Sequence, residues 1–162
     1  MRSTSHYTFS LSEIVKAVTP LFTRSPELEH NKLWSQKCTK ISTDTRHIDQ
    51  QNCFVPLIGE NFNGHEFIAS AIDKGANTII YSQKLSDTLL QKAVTKNVSL
   101  LPVTDTLLAY QYIARFYRDH LRAKVIGITG STGKTTTRNM IVQILSMSHS
   151  VHTNTKNFNN LI

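Results

Sequence analysis

The residues best suited to carry chemistry lie in one stretch, VIGITGSTGKTTT, at positions 125–137. It joins an apolar run, AKVIGIT, to an amphipathic run, KTTTRNMIVQIL, which predicts a strand, a glycine-rich turn and a helix. Glycines let backbone N–H groups approach an anion, and a helix start adds unpaired donors and a positive partial charge. Lys134 can neutralise the β- and γ-phosphates of a nucleotide, and the Thr135 hydroxyl is placed to ligate Mg²⁺. The stretch therefore predicts a phosphate-binding loop.

The loop departs from the strict nucleotide-binding motif at one position. That motif has a glycine five residues before Gly133, where this chain has Ile128. The departure argues against an ordinary GTPase or kinase-like loop. The alternative is a glycine turn with an incidental lysine, but the strand, turn and helix around it independently favour a phosphate site.

The elements that must position this loop predict an α/β fold. Ser10 and Glu13 form a capping box at the start of a helix. A helix over 66–74 is predicted to bury Phe67 on its apolar stripe and to end at Gly75. The other predicted elements are strands within 39–46, 53–59, 77–82 and 98–103 and helices over 85–95 and 104–121. We predict a small α/β domain over residues 1–122 and the incomplete beginning of a parallel-sheet domain over residues 123–162.

Composition narrows the class of partner without naming it. The net charge of +7, from 18 Lys+Arg and 11 Asp+Glu, favours anionic partners such as nucleotides, phosphorylated metabolites or nucleic acid. The sequence has no run of five basic residues, which makes a nucleic-acid binder the weakest hypothesis. It also has no apolar run of about 18 residues and no secretion signal, and Cys38 and Cys53 lack metal-site spacing. We therefore expect a reduced, cytoplasmic protein.

Two segments resemble the Mur ligases, the ATP-dependent amide-forming enzymes of peptidoglycan precursor synthesis. TGSTGKTTT after an apolar strand resembles their ATP loop, although folylpolyglutamate synthases carry a similar one. STDTRHIDQQNCFVPLIGENFNGHEFIASAIDKGANTIIYS resembles their UDP-muramyl-binding N-terminal domain. The end of the chain, TNTKNFNN, resembles the asparagine-rich turn of the branch that joins D-alanyl-D-alanine to UDP-N-acetylmuramoyl-tripeptide, with Lys156 where a glycine is common.

The resemblance implies roles for particular residues. Thr135 would hold Mg²⁺, and Lys134 and Thr135 would serve catalysis. Arg46 would pair either with a substrate phosphate or with Asp44. Backbone amides near Gly59 and Gly64 would approach the diphosphate, and His65 would position its loop or start the following helix instead of serving catalysis. The implied ATP-binding residues are Gly130, Ser131, Thr132, Gly133, Lys134, Thr135 and Thr136, and the implied substrate-binding residues are Thr45, Arg46, Glu60, Asn61, Phe62, Asn157, Asn159 and Asn160.

The resemblance also implies a reaction. A phosphoryl group from ATP would convert the terminal carboxylate of UDP-N-acetylmuramoyl-tripeptide to an acyl phosphate, which the amine of D-alanyl-D-alanine would then attack. We expect a monomer that binds neither nucleic acid nor membrane. Because a doubly wound sheet needs further parallel strands, we expect these 162 residues to be the N-terminal part of a larger enzyme, inactive alone. Alternatives are the relative that adds the third peptide residue, a folate ligase, and a non-catalytic UDP-sugar-binding module.

Overall fold

The structure is a computed structural model that describes residues 8–23 and 36–153. The chain divides into two units, Met1–His120 and Leu121–Ile162. The described helices are α1 (Leu11–Val18), α2 (Ile68–Asp73), α3 (Asp87–Thr95), α4 (Thr106–His120) and α5 (Lys134–Ser146). The described strands are β1 (Phe9–Ser10), β2 (Lys37–Cys38), β3 (Lys40–Ser42), β4 (Asn52–Phe54), β5 (Ile58–Gly59), β6 (Phe62–Asn63), β7 (Ala76–Tyr81) and β8 (Ser99–Pro102).

A parallel sheet of four strands forms the centre of the first unit, in the order β3, β4, β7, β8. Ile41 pairs with Cys53, and Ile79 pairs with Leu100. The two small antiparallel pairs, β1–β2 and β5–β6, lie outside this sheet. The predicted α/β class is confirmed, and the parallel sheet lies in this first unit, whereas the sequence predicts one in residues 123–162.

Helices cover both faces of the sheet. Side chains alternate along β7, so neighbouring residues pack against helices on opposite faces. Ile80 packs into a core with α1 and α4, whereas Ile79 and Tyr81 pack into a second core with α2 and α3. Because successive strand residues point to opposite faces, a strand buried on both sides is apolar throughout. This explains the apolar second half of β7, Ile79, Ile80 and Tyr81.

Local sequence features set the limits of the helices. Ser10 Oγ accepts a hydrogen bond from the Glu13 N–H at 3.3 Å, and Glu13 Oε2 accepts from the Ser10 N–H at 2.8 Å, so the predicted capping box is confirmed. Gly75, with a φ of +103°, follows the last turn of α2 as predicted. The helix predicted over 104–121 is confirmed as α4, which buries Ala109 and Ile113 on its inner face.

Two predicted elements are wrong in detail. The strand predicted over 53–59 is interrupted at Pro56, whose nitrogen cannot donate to a sheet ladder. β4 therefore ends at Phe54, and β5 pairs with β6 instead. The helix predicted over 66–74 begins as a 3₁₀ helix, Gly64–Phe67, which Asn63 caps by accepting from the His65 N–H. The tighter turn removes Phe67 from the buried stripe and leaves it 40% exposed.

The two cysteines are buried and free. A hydrogen bond between the Cys38 and Cys53 side chains, together with burial, raises the pKa of the Cys53 thiol well above its usual range. Of the helices in the described part of the chain, none is long and apolar enough to cross a membrane.

The second unit contains α5 and the loop before it. The predicted helix is confirmed, but the strand predicted over 123–129 forms no ladder within the described residues. A strand exists through its pairing with a neighbour, and Val125 and Ile126 are 69% and 57% exposed here. The predicted apolar stripe of α5 is likewise exposed at Met140 and Ile144.

Candidate functional site

Three loops follow the carboxyl ends of the parallel strands and lie at the same edge of the sheet. A turn follows β3, the β5–β6 hairpin follows β4, and residues 82–86 follow β7. The Val55 N–H donates to Ser42 O at 2.9 Å, which joins the first two loops. In open α/β sheets, ligands bind outside the carboxyl ends of the strands. This edge is therefore the candidate substrate site.

The turn after β3 contains the predicted residues Thr45 and Arg46 in a 3₁₀ helix, Thr45–His47. Asp44 caps it by accepting from the Arg46 N–H at 2.9 Å. The Arg46 guanidinium also binds the Asp44 carboxylate, with Nη2 to Oδ2 at 2.6 Å and Nε to Oδ1 at 3.0 Å. These bonds hold the pKa of Asp44 well below its usual range and raise the pKa of Arg46. The ion pair is present, while the Arg46 side chain stays 82% exposed.

The hairpin of residues 58–63 presents the other predicted substrate residues. Glu60 and Asn61 form its tip, and Gly59 pairs with Phe62 across it. The ring of Phe62 stacks on that of Phe67, with centroids 5.6 Å apart and planes at 17°. Both rings are exposed, at 52% and 40%. Phe67 was predicted to be buried in the core, so its exposed place beside Phe62 was not foreseen.

Gly64 packs against the backbone of residues 56–57. Its N–H donates to Leu57 O at 2.8 Å and is therefore occupied. A Cβ at this position would lie 2.7 Å from Leu57 O and 2.9 Å from the Cα of Pro56. Glycine is required here because two backbone segments touch.

Two cavities flank the sheet of the first unit. One of about 310 Å³ lies at the carboxyl ends of β7 and β8, between Thr23, Ser82 and Leu85. The other, about 580 Å³, lies at the opposite edge and is lined by polar residues such as Gln50, Lys96 and Asn97. Neither cavity is lined by the predicted substrate residues Thr45, Arg46, Glu60, Asn61 and Phe62, so the cavities do not select the site.

The phosphate loop adopts the conformations that its glycines permit. Gly130 and Gly133 have φ values of +150° and +77°, and α5 begins at Lys134 directly after them. Lys134 Nζ donates to the carbonyl oxygens of Gly130 and Ser131, and Lys134, Thr135 and Thr136 are exposed. A helix start with an exposed ammonium and hydroxyls fits an anionic nucleotide with a divalent cation.

The predicted site residues fall into three sets. Thr45, Arg46, Glu60, Asn61 and Phe62 share one sheet edge of the first unit, and the residues 130–136 form one loop of the second. Asn157, Asn159 and Asn160 lie outside the described residues. Within the described residues, no three His, Cys, Asp or Glu side chains cluster as a metal site.

A family model described as Mur ligase family, catalytic domain, matches residues 37–118. The chain belongs to the Mur ligase family. UDP-N-acetylmuramoyl-tripeptide–D-alanyl-D-alanine ligase of Bacillus subtilis (strain 168) is 38% identical to this chain over 122 residues, which is 75% of this chain and 25% of that protein. The chain thus spans about a quarter of the length of the curated relatives that it matches.

Solved Mur ligase structures share the fold. A crystal structure of MurF from Acinetobacter baumannii matches with a TM-score of 0.74 and 26% identity, over 96% of this chain and 31% of that one. MurF ligase from Thermotoga maritima in complex with ADP matches with a TM-score of 0.63 and 27% identity, over 74% of this chain and 26% of that one.

Proposed function

We propose that this Mur ligase chain provides the nucleotide-sugar site and the first ATP-binding elements of a ligase that joins D-alanyl-D-alanine to UDP-N-acetylmuramoyl-tripeptide. The observation that carries this proposal is the 38% identity over 122 residues to the B. subtilis ligase of that name. The first unit, Met1–His120, is the UDP-muramyl-peptide-binding domain, and the second begins the ATP-binding domain.

The UDP end of the substrate binds at the carboxyl edge of the sheet. Asn61, at the exposed hairpin tip, offers an amide donor and acceptor to the edge of the uracil ring. The stacked rings of Phe62 and Phe67 offer an apolar face to the base. Thr45 and the remaining N–H groups of Arg46 contact the phosphates, while Asp44 keeps the guanidinium in place.

ATP with Mg²⁺ binds at the loop before α5. Residues 130–133 provide backbone N–H groups, Lys134 neutralises phosphate charge, and Thr135 contributes a hydroxyl ligand to Mg²⁺. Bound ATP supplies the phosphoryl group that activates the terminal carboxylate of the tripeptide. Because phosphoryl transfer depends mainly on positioning and charge neutralisation, the role of Lys134 is electrostatic. The predicted substrate role of Asn157, Asn159 and Asn160, which lie outside the described residues, stays a prediction.

The setting of the reaction follows from the substrates. We infer a monomer that acts in the cytoplasm, where UDP-linked peptides and ATP are available, and that needs neither nucleic acid nor membrane insertion.

Calorimetry with UDP-N-acetylmuramoyl-tripeptide tests the proposal. We expect saturable binding to the chain and much weaker binding of a GDP-sugar, because the larger purine does not match the amide pattern at Asn61. Equal affinity for the two nucleotides, or no heat with either, would contradict the nucleotide-sugar site.

A further inference from the structure

His65 joins the hairpin of residues 58–63, here called the substrate hairpin, to the central sheet. The Ser82 N–H, directly after β7, donates to His65 Nε2 at 3.0 Å. On its other side the ring lies beside Asn63, with Nδ1 3.2 Å from Oδ1. His65 is only 7% exposed, and it is separated from Ser82 by seventeen residues of sequence.

The two contacts define one protonation state. A backbone N–H can only donate, so Nε2 must be the unprotonated nitrogen of the ring. Nδ1 then carries the proton and donates to the amide oxygen of Asn63. That oxygen also accepts from the His65 N–H at 3.1 Å, while Asn63 Nδ2 donates to Gln83 Oε1 at 3.1 Å. The hairpin is thus attached to the end of β7 through two neighbouring side chains.

We propose that neutral His65 is a positioning residue for the nucleotide end of the substrate, because its bond from Ser82 fixes the 58–63 hairpin on the sheet. The inference rests on the proposed function, because loss of the attachment is expected to lower the affinity of the chain for its substrate. An imidazolium ring has two N–H groups and cannot accept from the Ser82 N–H, so protonation breaks this bond and leaves the longer 3.5 Å contact of Nε2 with the Ser82 hydroxyl.

The surroundings of His65 favour the neutral ring. Its contacts are Asn63 on the hairpin and Ser82 directly after β7, and both are uncharged. Burial lowers the pKa of His65 below its ordinary value of 6.5, and no charged side chain contributes to that shift. The attachment is therefore intact at neutral pH and is lost as the pH falls through the lowered pKa of His65.

Three substitutions separate positioning from general stability. The side-chain oxygen of His65→Gln can occupy the place of Nε2 and accept from Ser82, whereas His65→Asn and His65→Ala cannot reach it. His149→Gln is the matched control, because His149 is exposed and lies in the second unit. Circular dichroism and thermal unfolding establish that each variant of the 162-residue chain is folded.

Affinity for UDP-N-acetylmuramoyl-tripeptide is measured by calorimetry between about pH 5.5 and 7.5. We expect His65→Ala and His65→Asn to bind about two- to tenfold more weakly at pH 7.5, the value of one hydrogen bond. His65→Gln keeps near-normal affinity, and its affinity does not fall at low pH as that of the unsubstituted chain does. Equal affinity of all variants, or the same pH profile in His65→Gln, overturns the inference.

A measurement without ligand distinguishes the two proposals. Nitrogen-15 NMR of the imidazole is expected to place the proton on Nδ1, and amide exchange at Ser82 is expected to accelerate in His65→Ala but not in His65→Gln. A proton on Nε2 overturns the inference even where the substrate binds. If the attachment is seen but the substrate does not bind, the proposed function fails and the positioning role fails with it.

Discussion

Single residues decide how the substrate hairpin is built and what it presents. Gly64 lets the end of the hairpin lie against the backbone of residues 56–57. His65 attaches the hairpin to Ser82, directly after β7. The aromatic pair then remains on its outer side, where packing does not require large apolar groups. Exposed aromatic rings on a hairpin that is fixed by packing and hydrogen bonds are the arrangement expected of a binding surface.

Gly64→Ala is expected to lower the free energy of unfolding by about 1–3 kcal/mol, because its Cβ would overlap the Leu57 backbone. Gly59→Ala is the control, since the nearest atom to its Cβ would be that of Phe62 at 4.0 Å. Urea denaturation of both variants measures the difference. Equal costs for the two substitutions would show that the close contact at Gly64 is not required.

Phe67→Ala is expected to weaken binding of UDP-N-acetylmuramoyl-tripeptide about five- to hundredfold, the range measured for stacking of a base on an aromatic ring. Its free energy of unfolding should change little because the ring is already 40% exposed. Tyr112→Ala, which removes a ring of the same 40% exposure from α4, is the control for calorimetry. If both variants bind alike, the aromatic pair does not hold the base.

At the scale of elements, short-range patterns explain most of what could be predicted. The capping box at Ser10, the end of α2 at Gly75 and the buried strand β7 each depend on neighbours in sequence, and each was predicted. The break at Pro56 and the exposure of Phe67 were missed because they depend on how the hairpin closes. The bond from Ser82 to His65 is tertiary, and no local pattern indicates it.

Ser10→Ala tests the start of α1, a helix that buries Leu11, Ile14 and Val18. Loss of the cap is expected to cost about 0.5–2 kcal/mol in the free energy of unfolding. Lys16→Ala, at an exposed position of the same helix outside the cap, leaves both cap bonds in place and should be nearly neutral. The two variants are compared by urea denaturation, and equal values would exclude the capping box as a source of stability.

At the scale of the whole molecule, two nucleotide sites are proposed in two separate units. The substrate edge belongs to Met1–His120, and the phosphate loop belongs to Leu121–Ile162. The sequence located the loop from its own motif, but the exposure of Val125 and Ile126 could not be predicted, because strand pairing depends on residues elsewhere.

Lys134→Ala is expected to weaken ADP or ATP binding at least about tenfold, because an ammonium near phosphate is worth more than the 1.4 kcal/mol of a tenfold change. Affinity for UDP-N-acetylmuramoyl-tripeptide should stay unchanged in the same variant. Lys124→Ala, also exposed in the second unit, is the control. A parallel loss of both ligands in calorimetry would contradict two independent sites.

The central claim is that the substrate binds at the carboxyl edge of the parallel sheet, and amide chemical-shift mapping tests it most directly. Titration of the chain with UDP-N-acetylmuramoyl-tripeptide is predicted to move the amide resonances of residues 44–46, 58–67 and 82–84. Shifts confined instead to the opposite edge, at Gln50, Gly75 and Asn97, would place the ligand in the larger cavity. That result, or the absence of any shift at saturating ligand, would contradict the claim.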